Sequence, residues 1–227
     1  MQPYFLPYIG YFQLIAAVDL FVVYDNIKYT KKGWINRNRM LVNGRDSTFS
    51  LSLKGASDGL EVAQRELATD FSPEKLMRQF EGAYAHAPEF AHTQPLLETV
   101  LGAAERNLFG FLLNSLQATC AHLGLATPFI VSSTVPIDHG LRGQDKVLAL
   151  CETLGATTYI NTMGGRVLYS RDEFARRGIE LQFIGPRSLE YSQFGAPFVP
   201  WLSIIDVLMF NPRARVRDWI DQHYELV

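Results

Sequence analysis

The chain has 227 residues, 48% of them hydrophobic and 19% charged, with a formal net charge of −2. That is enough apolar material for one sizeable core, or for an α/β domain with an insertion, and it lacks the charge excess of a disordered chain. It also excludes a protein that coats nucleic acid through a general basic surplus, and no apolar run approaches the roughly 18 to 20 residues of a membrane-spanning helix.

The opening MQPYFLPYIGYFQLI is rich in aromatic residues, but its pattern is not the one expected of a secretory leader. It has no Lys or Arg before Lys28 and is interrupted by Pro3, Pro7 and Gly10. A cytoplasmic protein is expected. Leu20 to Tyr24 (LFVVY) is a short continuous apolar run suited to a strand buried on both faces. Phe49, Leu51 and Leu53 alternate with polar residues, the period of a strand with one wetter face.

Ser72-Pro73 pairs a cap donor with a first-turn proline and predicts a helix carrying Leu76, Phe80 and Tyr84 on one face. A long helical pattern from Leu96 to Leu123 stops at Gly124, and Gly110 within it suggests two helices with a break near Asn107. Further strands are expected at Pro128–Val131, Thr157–Ile160 and Ile179–Phe183. DKVLALCETLG reads as a helix between the first two, and Ser170 to Glu173 as a capping box opening another. Cys120 and Cys151 form no CxxC and fall in helical patterns, so they read as buried thiols.

This alternation predicts an α/β fold, a mostly parallel Rossmann-like sheet covered on both faces. Residues 1–54 and 127–227 would form the α/β domain, and residues 55–126 a helical insertion or cap.

In such sheets ligands bind beyond the carboxyl ends of the strands. Asp25 and Asn26 follow the first strand, Ser132 and Ser133 follow PFIV, and Asn161 with Gly164-Gly165 follows TTYI. The segment DNIKYTKKGWINRNRM adds Lys31, Lys32, Trp34 and two arginines just past a strand end. If Trp34 to Arg39 is extended, Trp34, Asn36 and Asn38 point one way, and Arg37 and Arg39 point the other. Two guanidiniums about 7 Å apart suit a diphosphate, with an indole for stacking and two amides for hydroxyls. The same pattern also fits a solvated edge strand guarded by charge.

The five histidines make no HExxH or HxxxH spacing, so no metal site is expected. No G-x-S-x-G, Walker loop or GxGxxG is present, which weighs against serine hydrolases, P-loop kinases and ordinary dehydrogenases. Asp206 in LSIIDVLMFN sits in an apolar helix and is expected to be paired, for instance with an arginine of NRNR. Trp219 and Tyr224 in the C-terminal helix suit the core or a homodimer contact.

QPYFLPYIGYFQLIAAVDLFVVYDNIKY, KKGWINRNRM, LGATTYINTMGG, GIELQFI and the Tyr191/Gln193 pair before FVPWLSIIDVLMFN together resemble the WbqC-like proteins, from residue 2 to about residue 211. Only the helical middle matches loosely. The resemblance implies a role in bacterial O-antigen and other surface-polysaccharide synthesis, through acylation or aminoacylation of an amino sugar. It implies a nucleotide-linked sugar as substrate and an acyl-carrier protein or aminoacyl donor as partner, and names no cofactor. Such proteins carry a few residues ahead of the QP that form a first strand, which this chain mostly lacks.

The plan also resembles the nucleotidyltransferase and pantothenate synthetase fold, in which a histidine motif at a helix start holds ATP phosphates. Here that stretch is Pro7-Tyr8-Ile9-Gly10-Tyr11, with no histidine. Adenylyl transfer and a non-catalytic scaffold therefore remain alternatives. On the leading reading Asp25 and Lys31 are the candidate catalytic groups, Asp25 as base or amine-orienting carboxylate. Gln2, Tyr4, Pro7, Gly10 and Tyr11 form a binding wall. Asn26, Trp34, Asn36, Arg37, Asn38, Arg39, Ser132, Asn161, Gly164 and Gly165 complete the substrate contacts.

Overall fold

A computed structural model of the chain describes residues 1–55, 57, 59–195 and 197–227. In chain order it contains α1 (Ile9–Ala16), β1 (Phe21–Val23), β2 (Arg37–Val42), β3 (Arg45–Ser50), α2 (Pro73–Tyr84), α3 (Phe90–Leu101), α4 (Leu108–Leu123) and β4 (Phe129–Val131). There follow α5 (Gly143–Thr153), β5 (Thr158–Thr162), α6 (Arg171–Ala175), β6 (Glu180–Pro186), α7 (Ile204–Phe210), α8 (Arg213–Gln222) and β7 (Tyr224–Leu226). The fold is mixed α/β.

Hydrogen bonding divides the strands into three small sheets rather than one mostly parallel sheet. β1 runs parallel to β4 and β5 parallel to β6, whereas β7 joins β6 antiparallel. β2 and β3 form an antiparallel hairpin in which Val42 faces Arg45. Asn43 and Gly44 close it, both at positive φ, the backbone an Asn-Gly hairpin turn requires. The hairpin is local, so its closure costs little chain entropy and it competes well against long-range pairing. Met1 lies along the other edge of β1, donating its amine to Val22 O and accepting from Tyr24 N at 2.9 Å.

Local signals set the helix boundaries. Ser72 Oγ accepts from Lys75 N at 3.1 Å ahead of Pro73, and Asn107 Oδ1 accepts from Gly110 N at 3.1 Å, which starts α4 where the pattern breaks. Gly124 ends α4 in the left-handed region at φ +69°. Two expectations are corrected. Ser170 makes no side-chain cap bond, and its N–H instead donates to Gln144 Oε1. Tyr224 starts β7 rather than continuing the last helix.

One large core draws on α1 (Phe12, Ile15), α2 (Phe80), α4 (Phe111, Leu112, Leu116), α7 (Ile205, Leu208) and α8 (Val216, Ile220). The helices between residues 73 and 123 therefore share a core with both ends of the chain. A smaller cluster packs Val147, Leu148 and Cys151 of α5 and Phe174 of α6 against Leu181 and Phe183 of β6. Both cysteines are free and buried, and burial pushes their thiols up, Cys120 to about 12 and Cys151 to about 11.

Asp206 of α7 is fully buried. Its carboxylate accepts from Tyr84 Oη at 2.8 Å, Tyr191 Oη at 2.6 Å and Gln193 Nε2 at 2.7 Å, so it pairs with two phenols and an amide and not with an arginine of β2. Tyr84 Oη also accepts from Leu41 N at 2.8 Å, which ties β2, α2 and α7 together.

Candidate functional site

The parallel register of β1 and β4 carries both chains to one rim, where Asp25-Asn26 meets Ser132-Ser133. Ser132 Oγ lies 2.9 Å from Asp25 Oδ1 and 2.7 Å from Asn26 Oδ1, and Ser133 N donates to Asp25 Oδ1 at 3.0 Å. Ser132 is fully buried. From α5, Lys146 reaches in with Nζ 3.0 Å from Asn26 Oδ1, 3.4 Å from Asn26 O and 5.5 Å from the centre of the Tyr24 ring.

Asn26 Nδ2 stands 3.0 Å from His139 Nδ1, and His139 Nε2 stands 3.1 Å from Val135 O. An amide N–H donates and a carbonyl accepts, so in this arrangement Nδ1 takes the Asn26 hydrogen and Nε2 gives one to Val135 O.

The charges at this rim are held unequally. Burial works against the Asp25 carboxylate, but the Ser133 and Ser132 hydroxyls and the Ser133 amide outweigh it and hold its pKa below the usual value. Lys146 is only 8% exposed. Burial pulls its pKa down from 10.5, and the nearby carboxylates of Glu61 and Asp25 oppose that pull in part. The rim thus carries a carboxylate that stays charged beside an amine that sheds its proton more easily than usual.

Asp25, Asn26 and Ser132 come together as the strand exits predict. Lys31 sits exposed in the turn before Trp34, near Tyr29, whose pKa burial raises against the opposing charges of Arg65, Arg37 and Lys31. The amine at the Asp25 rim is Lys146 instead. Its signal in the sequence is a lysine four residues before Leu150 and one before Val147, on the buried side of α5.

The β5 exit borders the same place: burial raises the pKa of Tyr24 and of Tyr159, and the neighbouring Tyr169 phenol raises both further. Asn161 Nδ2 donates to Tyr159 Oη at 3.0 Å and its Oδ1 accepts from Thr162 N at 2.7 Å. A Cβ on Gly165 would stand 3.0 Å from Asn161 Nδ2, whereas nothing lies closer than 4.0 Å to one on Gly164.

The Trp34–Arg39 segment departs from the expected alternation. β2 begins only at Arg37, and Trp34 lies in the preceding turn, 44% exposed. Its indole faces the arginines, with the Arg37 and Arg39 guanidiniums 5.8 and 5.5 Å from the ring. Asn36 accepts from Tyr29 Oη at 2.7 Å and donates to Leu51 O at 2.8 Å. Asn38 donates to Leu6 O at 2.9 Å and Phe5 O at 3.3 Å while accepting from Arg39 N. Both amides therefore hold backbone rather than stand ready for hydroxyls. Arg37 Nε donates to Gly33 O at 2.9 Å, and Arg39 reaches Asp46 Oδ2 at 3.2 Å and Trp201 O at 3.0 Å.

In the opening tract Tyr11 is buried, with Oη donating to Gln2 O at 2.8 Å, and Tyr4 Oη donates to Gln2 Oε1 at 3.2 Å. Pro7 is buried and its carbonyl accepts from Ile204 N at 2.8 Å. Gly10 does not open its backbone to a ligand: a Cβ there would stand 2.4 Å from the Tyr8 ring. Among the described residues, no three His, Cys, Asp or Glu side chains are grouped to hold a metal ion.

A sequence model of the WbqC-like protein family matches residues 2–218. The chain belongs to the WbqC-like protein family. It is 29% identical over 226 residues to the uncharacterized protein Rv1507c of Mycobacterium tuberculosis (strain ATCC 25618 / H37Rv), covering 97% of this chain and 95% of that one. No solved structure matches it significantly. The WbqC-like span takes in the opening tract, the β1–β4 rim and α5 and leaves β7 outside. No helix among the described residues of this WbqC-like chain is long and apolar enough to cross a membrane.

Proposed function

We propose that this WbqC-like protein is an enzyme of bacterial surface-polysaccharide synthesis that acylates the amino group of a nucleotide-linked sugar, in a Rossmann-like site on the β1–β4 rim. The observation that carries this reading is the meeting of Asp25 and Lys146 at Asn26: Ser132 Oγ lies 2.9 Å from Asp25 Oδ1 and 2.7 Å from Asn26 Oδ1, and the buried Lys146 brings Nζ within 3.0 Å of that same Asn26 oxygen.

Amide formation needs an amine held in line, a base to take its proton, and donors for the developing oxyanion. Asp25 orients the substrate amine and stays ionised. Lys146 in its neutral form accepts the proton lost as nitrogen bonds to the acyl carbon, and returns it to the departing thiol or alcohol. Backbone amides of the Gly164-Gly165 turn face the oxyanion, and Arg37 and Arg39 beside Trp34 hold the diphosphate. The donor is an acyl-carrier thioester or an aminoacyl ester.

The Tyr8 ring over Gly10 weighs against adenylyl transfer, because it covers the backbone that would hold phosphate at the start of α1. A purely structural role leaves the burial of Lys146 beside two carboxylates uncompensated by any service. The test is incubation of the protein with a nucleotide-linked amino sugar and an acyl thioester, read by mass spectrometry. An acylated sugar nucleotide that disappears with Lys146→Met and Asp25→Asn supports the reading. Failure to form it across a panel of amino sugars and donors, or its formation undiminished by both variants, overturns it.

A further inference from the structure

Trp201, like Phe194 at φ +50° and 50% exposure, is a large exposed side chain on strained backbone. Its backbone takes φ +61°, a region that glycine enters freely and that costs a residue bearing a Cβ. The residue is 61% exposed, so packing does not repay that cost. The chain on either side leaves it no freedom to relax. The Trp201 carbonyl accepts from Arg39 Nη2 at 3.0 Å, Ser203 N donates to Arg39 O at 2.9 Å, and Ser203 Oγ donates to Leu6 O at 2.7 Å. Leu202 and Ser203 are buried directly after it. Backbone strain of this kind persists where surrounding structure over-determines it, and an outlier of that sort is a pointer to use.

Groups of complementary chemistry lie near this residue. Arg39 bonds the Trp201 carbonyl and also stands 5.5 Å from the Trp34 ring, with Arg37 at 5.8 Å from the same ring. Tyr8 lies edge-on to Trp201 at 6.0 Å between ring centres. One guanidinium thus touches both the exposed Trp34 ring and the backbone carbonyl of the exposed Trp201, with a second guanidinium beside Trp34. Inorganic phosphate would engage the arginines and leave the indoles idle, and a neutral sugar would do the reverse. A nucleoside diphosphate engages both, its base on an aromatic face and its phosphates on the guanidiniums.

We propose that Trp201 is the base-stacking residue of the nucleotide subsite, set across Arg39 from Trp34, so that this face selects a nucleoside diphosphate over a bare phosphate group. The proposal rests on the reading that the protein acts on a nucleotide-linked sugar, and it adds the residue that recognises the nucleotide half.

The experiment is calorimetric titration of the full chain with uridine diphosphate, adenosine diphosphate and inorganic pyrophosphate, alongside thermal unfolding. Trp201→Ala and Trp201→Gly are expected to weaken the better-bound nucleoside diphosphate about tenfold or more, to leave pyrophosphate affinity within about twofold, and to leave the melting temperature unchanged or, for glycine, raised. Trp201→Phe keeps a ring and is expected to retain most of the affinity. Equal loss of pyrophosphate binding would mean that Trp201 acts only by placing Arg39, and would overturn the proposal. So would a Trp201→Phe protein as weak as Trp201→Ala, or nucleoside diphosphate binding unchanged in every variant, which leaves the nucleotide-sugar reading standing. Absence of nucleotide binding to the unaltered protein would remove both.

Discussion

Lys146 Nζ lies 3.0 Å from Asn26 Oδ1, so a helix that follows β4 delivers a buried amine to the residue that follows Asp25 at the end of β1. The contact crosses 120 positions of sequence and completes the polar rim. Lysine is seldom buried unless paired, and here its partners are neutral carbonyl oxygens with carboxylates farther out.

Lys146→Met keeps most of the stem volume and removes the buried charge. Its stability should stay within about 1 kcal/mol of the parent, because the lost hydrogen bonds are offset by relief of burying an amine. Transfer activity should fall roughly 100-fold or more if the amine is the base. Lys146→Arg should be equally inactive, since a guanidinium does not give up its proton. On that reading the rate of the parent protein should rise with pH through a limb lying below 10.5, as the lowered Lys146 pKa dictates. A rate independent of pH, or an active arginine variant, would exclude Lys146 as the base.

Asp25 gives a stability signal of definite sign. Its pKa is lower in the folded chain than the usual 3.8, so the unfolded chain binds the proton more tightly. Its contribution is present in full above about 3.8 and is lost as pH falls through the folded value. Asp25→Asn should cost about 2 kcal/mol at pH 7, the scale of hydrogen bonds to a charged acceptor, and the gap should narrow toward pH 3. Urea unfolding of the two proteins from pH 3 to 7 measures it. A gap that does not change with pH would assign the loss to packing rather than to the charge.

The legible parts of this fold are the local ones. The start of α4 at Asn107 and the stop at Gly124 are written in adjacent residues, as are the strands around Val22 and Ile130. The Asp25–Ser132 meeting was legible because parallel strands bring their exits to one rim whatever lies between them. Lys146 and the Tyr84 partner of Asp206 are not, since their contacts join positions about 120 apart and no local pattern encodes which residue completes a buried polar group. The Trp34 face is not legible from alternation, which holds only within a strand, and β2 starts three residues later, at Arg37. The division into three sheets turned on which strands hydrogen-bond, a matter of global packing.

Gly10 is tied to Tyr8. A Cβ at position 10 would stand 2.4 Å from Tyr8 Cε2 and 2.8 Å from its hydroxyl oxygen, so Gly10→Ala must push the ring aside. The ring is the far end of a flexible side chain, so the cost should be modest, about 1 to 2 kcal/mol. In a Tyr8→Ala background the same substitution should be neutral or stabilising, because alanine is the better helix former. A double-mutant cycle by chemical unfolding gives the coupling directly. Equal costs in both backgrounds would mean that Gly10 is required for some other reason, such as approach of a ligand.

Asp206 has the opposite pH sign from Asp25. Burial raises its pKa above 3.8, and the Tyr191, Tyr84 and Gln193 donors offset that only in part. The folded chain therefore binds the proton more tightly, and this favourable contribution fades as pH rises through the folded value. Asp206→Ala should cost about 3 to 5 kcal/mol, since it strands three buried donors that now converge on the carboxylate. Asp206→Asn should cost less, about 1 to 2 kcal/mol. It removes the burial penalty of the charge but sets an N–H₂ against donors, and Tyr191 and Gln193 now share Oδ2. Tyr191→Phe, which removes one donor and leaves the others in place, should cost about 1 kcal/mol. Urea unfolding between pH 4 and 8 separates these cases, and in Asp206→Asn the Asp206 contribution to the pH slope should vanish. A loss below about 1 kcal/mol for Asp206→Ala would show that the hub can collapse or hydrate, and that the ties among β2, α2 and α7 rest on apolar packing alone.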